Sequence, residues 1–195
     1  LAQAGSDLFS FLFLVTLFPI VWVFCAVGIK LSSPRGPVFF KQKRTGYEGR
    51  EFWCYKFRSM HPSADADTKQ AVKGDSRVFR FGEFLRKSSI DELPQFINVL
   101  KGDMSIVGPR PHMLHHTDIY SELIGDYMIR HLAKPGITGW AQVNGCRGET
   151  KELSEMKERV EKDIWYIEHW SVELDIAIVF MTLWQLLRHQ DEKAY

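Results

Sequence analysis

The sequence predicts an α+β fold, mostly helical, with a small β-hairpin, amphipathic interfacial helices and an N-terminal membrane helix broken at a proline. Three observations carry this. An uncharged run of 22 residues, "LFSFLFLVTLFPIVWVFCAVGI", extends from Leu8 to Ile29. Short aromatic-rich segments flank a Gly-containing turn within residues 37–57. Further on, apolar residues recur mostly at the i, i+3, i+4 spacing of helices. The chain divides accordingly into a membrane segment, 1–30, and a folded part, 31–195.

At about 1.5 Å per residue, the uncharged run is long enough to cross a hydrocarbon core of roughly 30 Å. A cleaved signal peptide is its rival, but the basic n-region and small-residue cleavage pattern are absent and the run exceeds an h-region. Pro19 lies near its middle, where it removes the bond to the carbonyl of Val15 and crowds that turn, so a kink is expected. A bent span and a re-entrant hairpin both satisfy that geometry. Between Lys30 and Arg58 stand eight basic residues against Glu48 and Glu51. By the positive-inside bias this flank is cytoplasmic, and it attracts anionic headgroups or phosphates.

"PVFFKQ" and "EFWCYKF" then read as the two strands of a hairpin, with its turn around Thr45, Gly46 and Gly49. "RVFRFGEFLRK" fits a short helix with a basic face. Leu93, Phe96, Ile97 and Leu100 fall at i, i+3, i+4 and i+7, and Gly102 stands where a C-cap is wanted, which predicts a helix over 91–101. "MSIVGPRPHML" reads as a strand running into a stiff loop, residues 117–133 as a helix stopped by Lys134-Pro135-Gly136, and "GITGWAQVNGC" as irregular. Leu153, Met156, Val160, Ile164 and Ile167 make an amphipathic stripe, supported by Glu155/Arg159 and Glu158/Lys162 at i, i+4. The final apolar stretch, "LDIAIVFMTLWQLL", is short for a span, and the aromatic residues before it fit burial or an interfacial position.

A chain of 195 residues can bury one respectable core, and 25 basic against 24 acidic residues give no basis for a nucleic-acid partner. Cys25, Cys54 and Cys146 form no C-x-x-C pair, so neither a disulfide framework nor a zinc ribbon is indicated. A start at Leu1 rather than Met is the expectation for a fragment of a longer chain.

Asp91-Glu92 in "SSIDELPQFI" is the constellation with the most chemistry. Ser89-x-x-Glu92 matches a capping box, and Pro94 belongs in a first helical turn, so both carboxylates are expected at a helix start. The free N–H groups of such a terminus also attract phosphate. A carboxylate beside a docked phosphate, with cations to hold it, can act as a nucleophile through an acyl-phosphate. Arg86 and Lys87 are nearby in sequence, and Arg110 in "GPRP" is a further candidate. Two other patterns are weaker: Asp65-Ala66-Asp67 is a D-x-D triplet in a loop, and His112, His115 and His116 lack a carboxylate or Cys at metal-ligand spacing and read as a solvated loop.

"GPVFFKQKRTG", "YKFRSM", "GEFLRKSSIDELPQFINVLKGDMSIVGPRP", "KPGITGWAQVNG" and "DIWYIEHWS", in this order, resemble the bacterial monotopic phosphoglycosyl transferases, also called the bacterial sugar transferase family. The resemblance covers nearly the whole chain. It implies transfer of a sugar 1-phosphate from a UDP-sugar to undecaprenyl phosphate with release of UMP, the first step of exopolysaccharide or glycoconjugate assembly. It implies Asp91 as covalent nucleophile, supported by Glu92, and Mg²⁺ as cofactor at these two carboxylates. Lys56, Arg58, Arg86, Arg110 and Arg147 are the implied substrate-binding cations. The resemblance further implies that residues 1–30 are re-entrant, with 31–195 a catalytic domain on the cytoplasmic face of the bacterial inner membrane. "RGET…RVEKD" leans toward the glucose-transferring subgroup, with Arg147 one place later than in the plain N-G-R form. Homo-oligomerisation stays open, and a non-catalytic scaffold binding anionic lipid is the alternative from another class.

Overall fold

The computed structural model describes residues 10–63, 71–72, 74–148, 150 and 152–188. The uncharged run forms helices α1 (Ser10–Thr16) and α2 (Phe18–Ser32), which meet at 57°. Pro19, in the first turn of α2, has no N–H for the carbonyl of Val15, and its ring crowds the turn before it, so the hydrogen-bond ladder restarts there. Neither helix alone is long and apolar enough to cross a membrane, whereas the bent pair passes on length and composition. Cys25 and Ile29 of α2 are buried with Phe57, Phe79 and Leu85. Leu12, Val15, Ile20 and Val23 stay more than half exposed, so the pair presents an apolar face outward.

Strands β1 (Phe39–Thr45) and β2 (Glu51–Phe57) pair antiparallel, with Phe39 opposite Phe57 and Gln42 opposite Cys54. β1 runs on to Thr45 rather than ending at Gln42. The turn comes later, as a 3₁₀ turn at Tyr47–Gly49 in which Glu48 and Gly49 take φ of 53° and 75°. Helix α3 (Arg80–Lys87) packs closely on α2 because Gly28 has no Cβ to strike the Phe81 ring.

The helix predicted over 91–101 is two pieces, a 3₁₀ turn at Ile90–Glu92 and helix α4 (Gln95–Leu100). Pro94 is the cause: without an N–H it cannot bond the carbonyl of Ile90. The segment closes through i→i−3 bonds instead, from Glu92 to Ser89 and from Leu93 to Ile90, both at 3.2 Å. The expected capping box at Ser89 is absent as well. Ser89 adopts a left-handed φ of 56° and its side chain makes no cap bond, whereas a capping residue needs extended backbone to aim its oxygen at the turn. Asp91 and Glu92 therefore sit one turn ahead of α4. The far end is as expected, with Gly102 at φ 81° just past the C-cap.

The stretch read as irregular contains β4 (Gly136–Thr138), paired in parallel with β3 (Ser105–Val107), followed by α6 (Trp140–Val143). Strands of three residues are too short to show alternation in the sequence. The helix predicted over 117–133 is instead α5 (Leu114–Leu123) and a 3₁₀ segment at Tyr127–Leu132. Gly125 lies in the break, and Ile124 and Tyr127 turn into a cluster with Met156 and Val160. Helix α7 (Leu153–Glu168) carries the predicted stripe, and Glu158 and Lys162 pair at 2.6 Å. Glu155 reaches back to the Glu152 N–H in a capping box, while Arg159 turns inward and donates to the Gly148 carbonyl at 3.1 Å. Helix α8 (Val172–Arg188) buries Ile178 and leaves Ile176, Phe180, Leu183 and Leu187 exposed.

Candidate active site

Asp91 and Glu92 share one 3₁₀ turn but have different partners. Glu92 Oε1 accepts from Lys56 Nζ and from Arg110 Nη2, each at 2.6 Å, and its Oε2 accepts from Arg110 Nη1 at 3.2 Å. Both oxygens are occupied by cations. These cations hold the Glu92 carboxyl well below the usual range, against the opposing effect of burial. Asp91 is only 7% exposed, and among the described residues its carboxylate accepts no hydrogen bond. Burial pushes its pKa up to about 6, with the charge of Glu92 adding to the rise and Lys56, Arg86 and Arg110 opposing it. The turn thus holds one cation-bound carboxylate driven toward its ionised form beside one that burial drives toward its protonated form.

Four elements converge to make this pair. Lys56 comes from β2, Arg86 from α3 and Arg110 from the loop after β3, and all three line a cavity of about 360 Å³ together with Asp91 and Glu92. Asn98 of α4, fully buried, fixes β2 against this turn. Its Nδ2 donates to the Trp53 carbonyl at 2.7 Å and its Oδ1 accepts the Tyr55 N–H at 3.1 Å. Arg147 reaches the same turn from the other side, donating to Ser89 Oγ at 2.7 Å. Arg58 also borders the cavity, but its guanidinium bonds the Ser33 hydroxyl and carbonyl and the Pro37 carbonyl at 2.6–2.7 Å. It ties the end of α2 to the hairpin.

His112 corrects the expectation of a solvated loop. It is buried, and its Nδ1 lies 2.7 Å from both Arg130 Nη1 and Tyr127 Oη. Arg130 in turn donates to Asp163 Oδ2 through Nη2 at 2.6 Å and Nε at 3.0 Å. Among the described residues no group of three or more His, Cys, Asp or Glu is arranged to hold a metal. A Mg²⁺ ion needs less, since it takes one or two carboxylates and completes its shell with substrate phosphate and water. The Asp91 carboxylate fits that requirement. Glu92, with both oxygens already held, fits less well. Asp65 and Asp67 of the D-x-D triplet lie outside the described residues.

The sequence assigns no site role to Asn98, Thr150 or Arg159, and places Arg159 only as a helix-surface partner of Glu155. Asn98 and Arg159 lie on helical faces that resemble any polar helix surface, and only tertiary packing turns them inward. His112 did carry a signal, two residues after Arg110 in the same Pro-flanked loop.

The sequence profile described as bacterial sugar transferase matches residues 2–189. The chain is 55% identical over 189 residues to a UDP-glucose:undecaprenyl-phosphate glucose-1-phosphate transferase of Xanthomonas campestris pv. campestris, covering 95% of this chain and 39% of that protein. A protein of the same name from Escherichia coli K12 is 51% identical over 186 residues, covering 95% and 40%. The UDP-N-acetylgalactosamine-undecaprenyl-phosphate N-acetylgalactosaminephosphotransferase of Aeromonas hydrophila is 45% identical over 186 residues, covering 95% and 43%. The chain thus spans about two fifths of the length of these relatives. With a profile match along almost its whole length, and five ordered motifs built around one cation-ringed carboxylate turn, the chain belongs to the bacterial sugar transferase family.

Proposed function

We propose that the protein is a phosphoglycosyl transferase that moves a sugar 1-phosphate from a UDP-sugar to undecaprenyl phosphate through a covalent intermediate on Asp91. One observation carries this: Glu92 is tied up by Lys56 and Arg110, while its buried neighbour Asp91 accepts no hydrogen bond among the described residues and faces the same cavity. In the first step an Asp91 carboxylate oxygen attacks the sugar-bearing phosphorus. The bond to the bridging oxygen breaks, and UMP leaves with that electron pair. In the second step an oxygen of the lipid phosphate attacks the same phosphorus, breaking the Asp91 O–P bond and restoring the carboxylate. Lys56, Arg86 and Arg110 offset the charge that gathers on the phosphoryl oxygens. Glu92 is a positioning residue that holds Lys56 and Arg110 beside Asp91. Asp91 is the residue that would hold Mg²⁺, which supplies charge neutralisation on the pyrophosphate.

UDP-glucose is the donor favoured by the names of several relatives, alongside one whose name specifies N-acetylgalactosamine. The bent α1–α2 pair, with its outward apolar face and basic flank, supports residues 1–30 as a re-entrant segment. It would hold a catalytic domain, 31–195, at the cytoplasmic face of the inner membrane. Incubation with a UDP-sugar alone should add the mass of one sugar phosphate to the intact protein and release one UMP. Asp91→Asn should abolish both. UMP release undiminished in that variant refutes the nucleophile, and absence of any adduct or release in the wild type leaves the lipid-binding scaffold as the function.

A further inference from the structure

The cavity extends beyond the carboxylate turn, and its other wall contains three buried polar groups that the reaction described above does not use. His112, Arg159 and Thr150 are 4%, 5% and 8% exposed and line the cavity. His112 Nε2, Arg159 Nε and Thr150 Oγ1 are each buried with no hydrogen-bond partner among the described residues. Buried polar groups are nearly always hydrogen-bonded, so three left unsatisfied along one cavity mark a place where a ligand supplies the missing partners.

The hydrogen bonds on the far side of the imidazole define what His112 offers. Arg130 Nη1, 2.7 Å from His112 Nδ1, is only a donor, so Nδ1 must accept. Burial and the adjacent Arg130 and Arg159 charges hold this imidazole well below its usual pKa, so it is neutral and its one proton sits on Nε2. His112 Nε2–H and Arg159 Nε–H are therefore both donors, and the Thr150 hydroxyl can act as a third. The ligand group must be rich in acceptors.

Charge narrows the class. Arg159 forms no ion pair among the described residues, whereas Arg130 is paired with Asp163 and Arg110 with Glu92. Asp163 is the carboxylate near Arg159, but it is already bonded by Arg130, so a wall with a guanidinium lacking its own ion pair favours an anion over a neutral carbonyl. A phosphate monoester has that chemistry, and the proposed reaction offers two: the leaving nucleoside monophosphate and the lipid phosphate. The packing of the two walls separates them. On the Asp91 side the cavity is lined by Phe57, which packs with Cys25 and Ile29 of α2 and with Leu85, the side that carries the outward apolar helices. Arg159 and Tyr127, the hydroxyl partner of His112, belong instead to the α7 and 3₁₀ wall built on Met156 and Val160. A lipid phosphate arrives with its chain on the α2 side, which leaves the other wall to the soluble product.

We propose that His112, Arg159 and Thr150 form the subsite for the phosphate of the leaving UMP, an assignment that rests on the transferase reading and adds to it. The subsite holds the donor's distal phosphate while Asp91 attacks the sugar-bearing one, and it retains UMP against back-diffusion into the site.

The test is calorimetric titration of the protein in detergent with UMP and, separately, with a short-chain polyprenyl phosphate, in wild type, Thr150→Val and Arg159→Gln. Both variants should weaken UMP about tenfold or more and leave the lipid phosphate within about twofold, with discharge of a preformed adduct by lipid phosphate unchanged. Thr150→Val is near-isosteric, so it decides the matter should Arg159→Gln fail to fold. Weakened lipid-phosphate binding with UMP unchanged assigns the wall to the acceptor and overturns the proposal, as does no change in either ligand. A wild-type protein that binds neither UMP nor UDP-sugar overturns the transferase reading itself.

Discussion

Asp91 and Glu92 are separated by one peptide bond, yet their environments drive their protonation in opposite directions. Glu92 gains two cations at 2.6 Å, and Asp91 gains burial without a hydrogen bond among the described residues. This difference makes pH a direct probe. With its pKa pushed up to about 6, Asp91 in the proposed role of nucleophile would attack only as pH rises through that value, so kcat/KM should show an acid limb there. The stability effect has the opposite sense. A carboxyl whose folded pKa is raised binds its proton more tightly in the native state. Its stabilising contribution is complete below the ordinary carboxylate range and is lost as pH rises through about 6. Asp91→Asn should therefore melt above wild type at pH 7.5, by about 2–4 °C for each kcal/mol recovered, and the gap should close near pH 4. Thermal melts at the two pH values check it, and a variant less stable than wild type at pH 7.5 contradicts the account. That two carboxylates lie here was legible in "IDEL". Which one is left open to substrate was not, because Lys56 and Arg110 come from 36 and 18 residues away.

At the scale of elements, the length of the uncharged run located α2, and pattern and periodicity located the hairpin, α3 and α7, each long enough to bury a regular face or to pair along its length. It merged or missed elements whose limits come from single residues. Pro94 splits the helix expected over 91–101, and Gly125 accompanies the break after α5. The β3–β4 pair joins residues about 30 positions apart over only three residues each, a contact with no local signature. Asn98 shows how one side chain links these elements, since it bonds the β2 backbone at Trp53 and Tyr55 from within α4. Asn98→Ala should leave the Tyr55 N–H without that acceptor and the Trp53 carbonyl without its donor. The expected cost is about 2–3 kcal/mol in urea unfolding, with a lowered kcat because Lys56 is the residue next to Tyr55 in β2. A variant with wild-type midpoint and rate would show that β2 holds its place without this bond.

At the scale of the whole molecule, the apolar side chains left outward on α1 and α2, and those of Ile176, Phe180, Leu183 and Leu187 on α8, form the surface that the proposed membrane seating would cover. If the 57° bend returns the chain to the face it entered, protease sites placed just before α1 and just after α2 should both be cut from the cytoplasmic side of sealed inverted vesicles. Cleavage from opposite sides would mean a span. Pro19→Ala restores the missing N–H and should shift the population toward opposite-side cleavage. The sequence by itself determined the family, the uncharged apolar character of the N-terminal run, the hairpin, and the presence of paired carboxylates and nearby cations. Each of those resides in local composition, spacing or ordered motifs. Only the tertiary structure decided that Glu92 is held by Lys56 and Arg110 while Asp91 is not, that Arg58 anchors α2, and that His112, Thr150 and Arg159 face the cavity. Those outcomes depend on side chains brought together from distant segments, where burial and neighbouring charge act on groups that look alike along the chain.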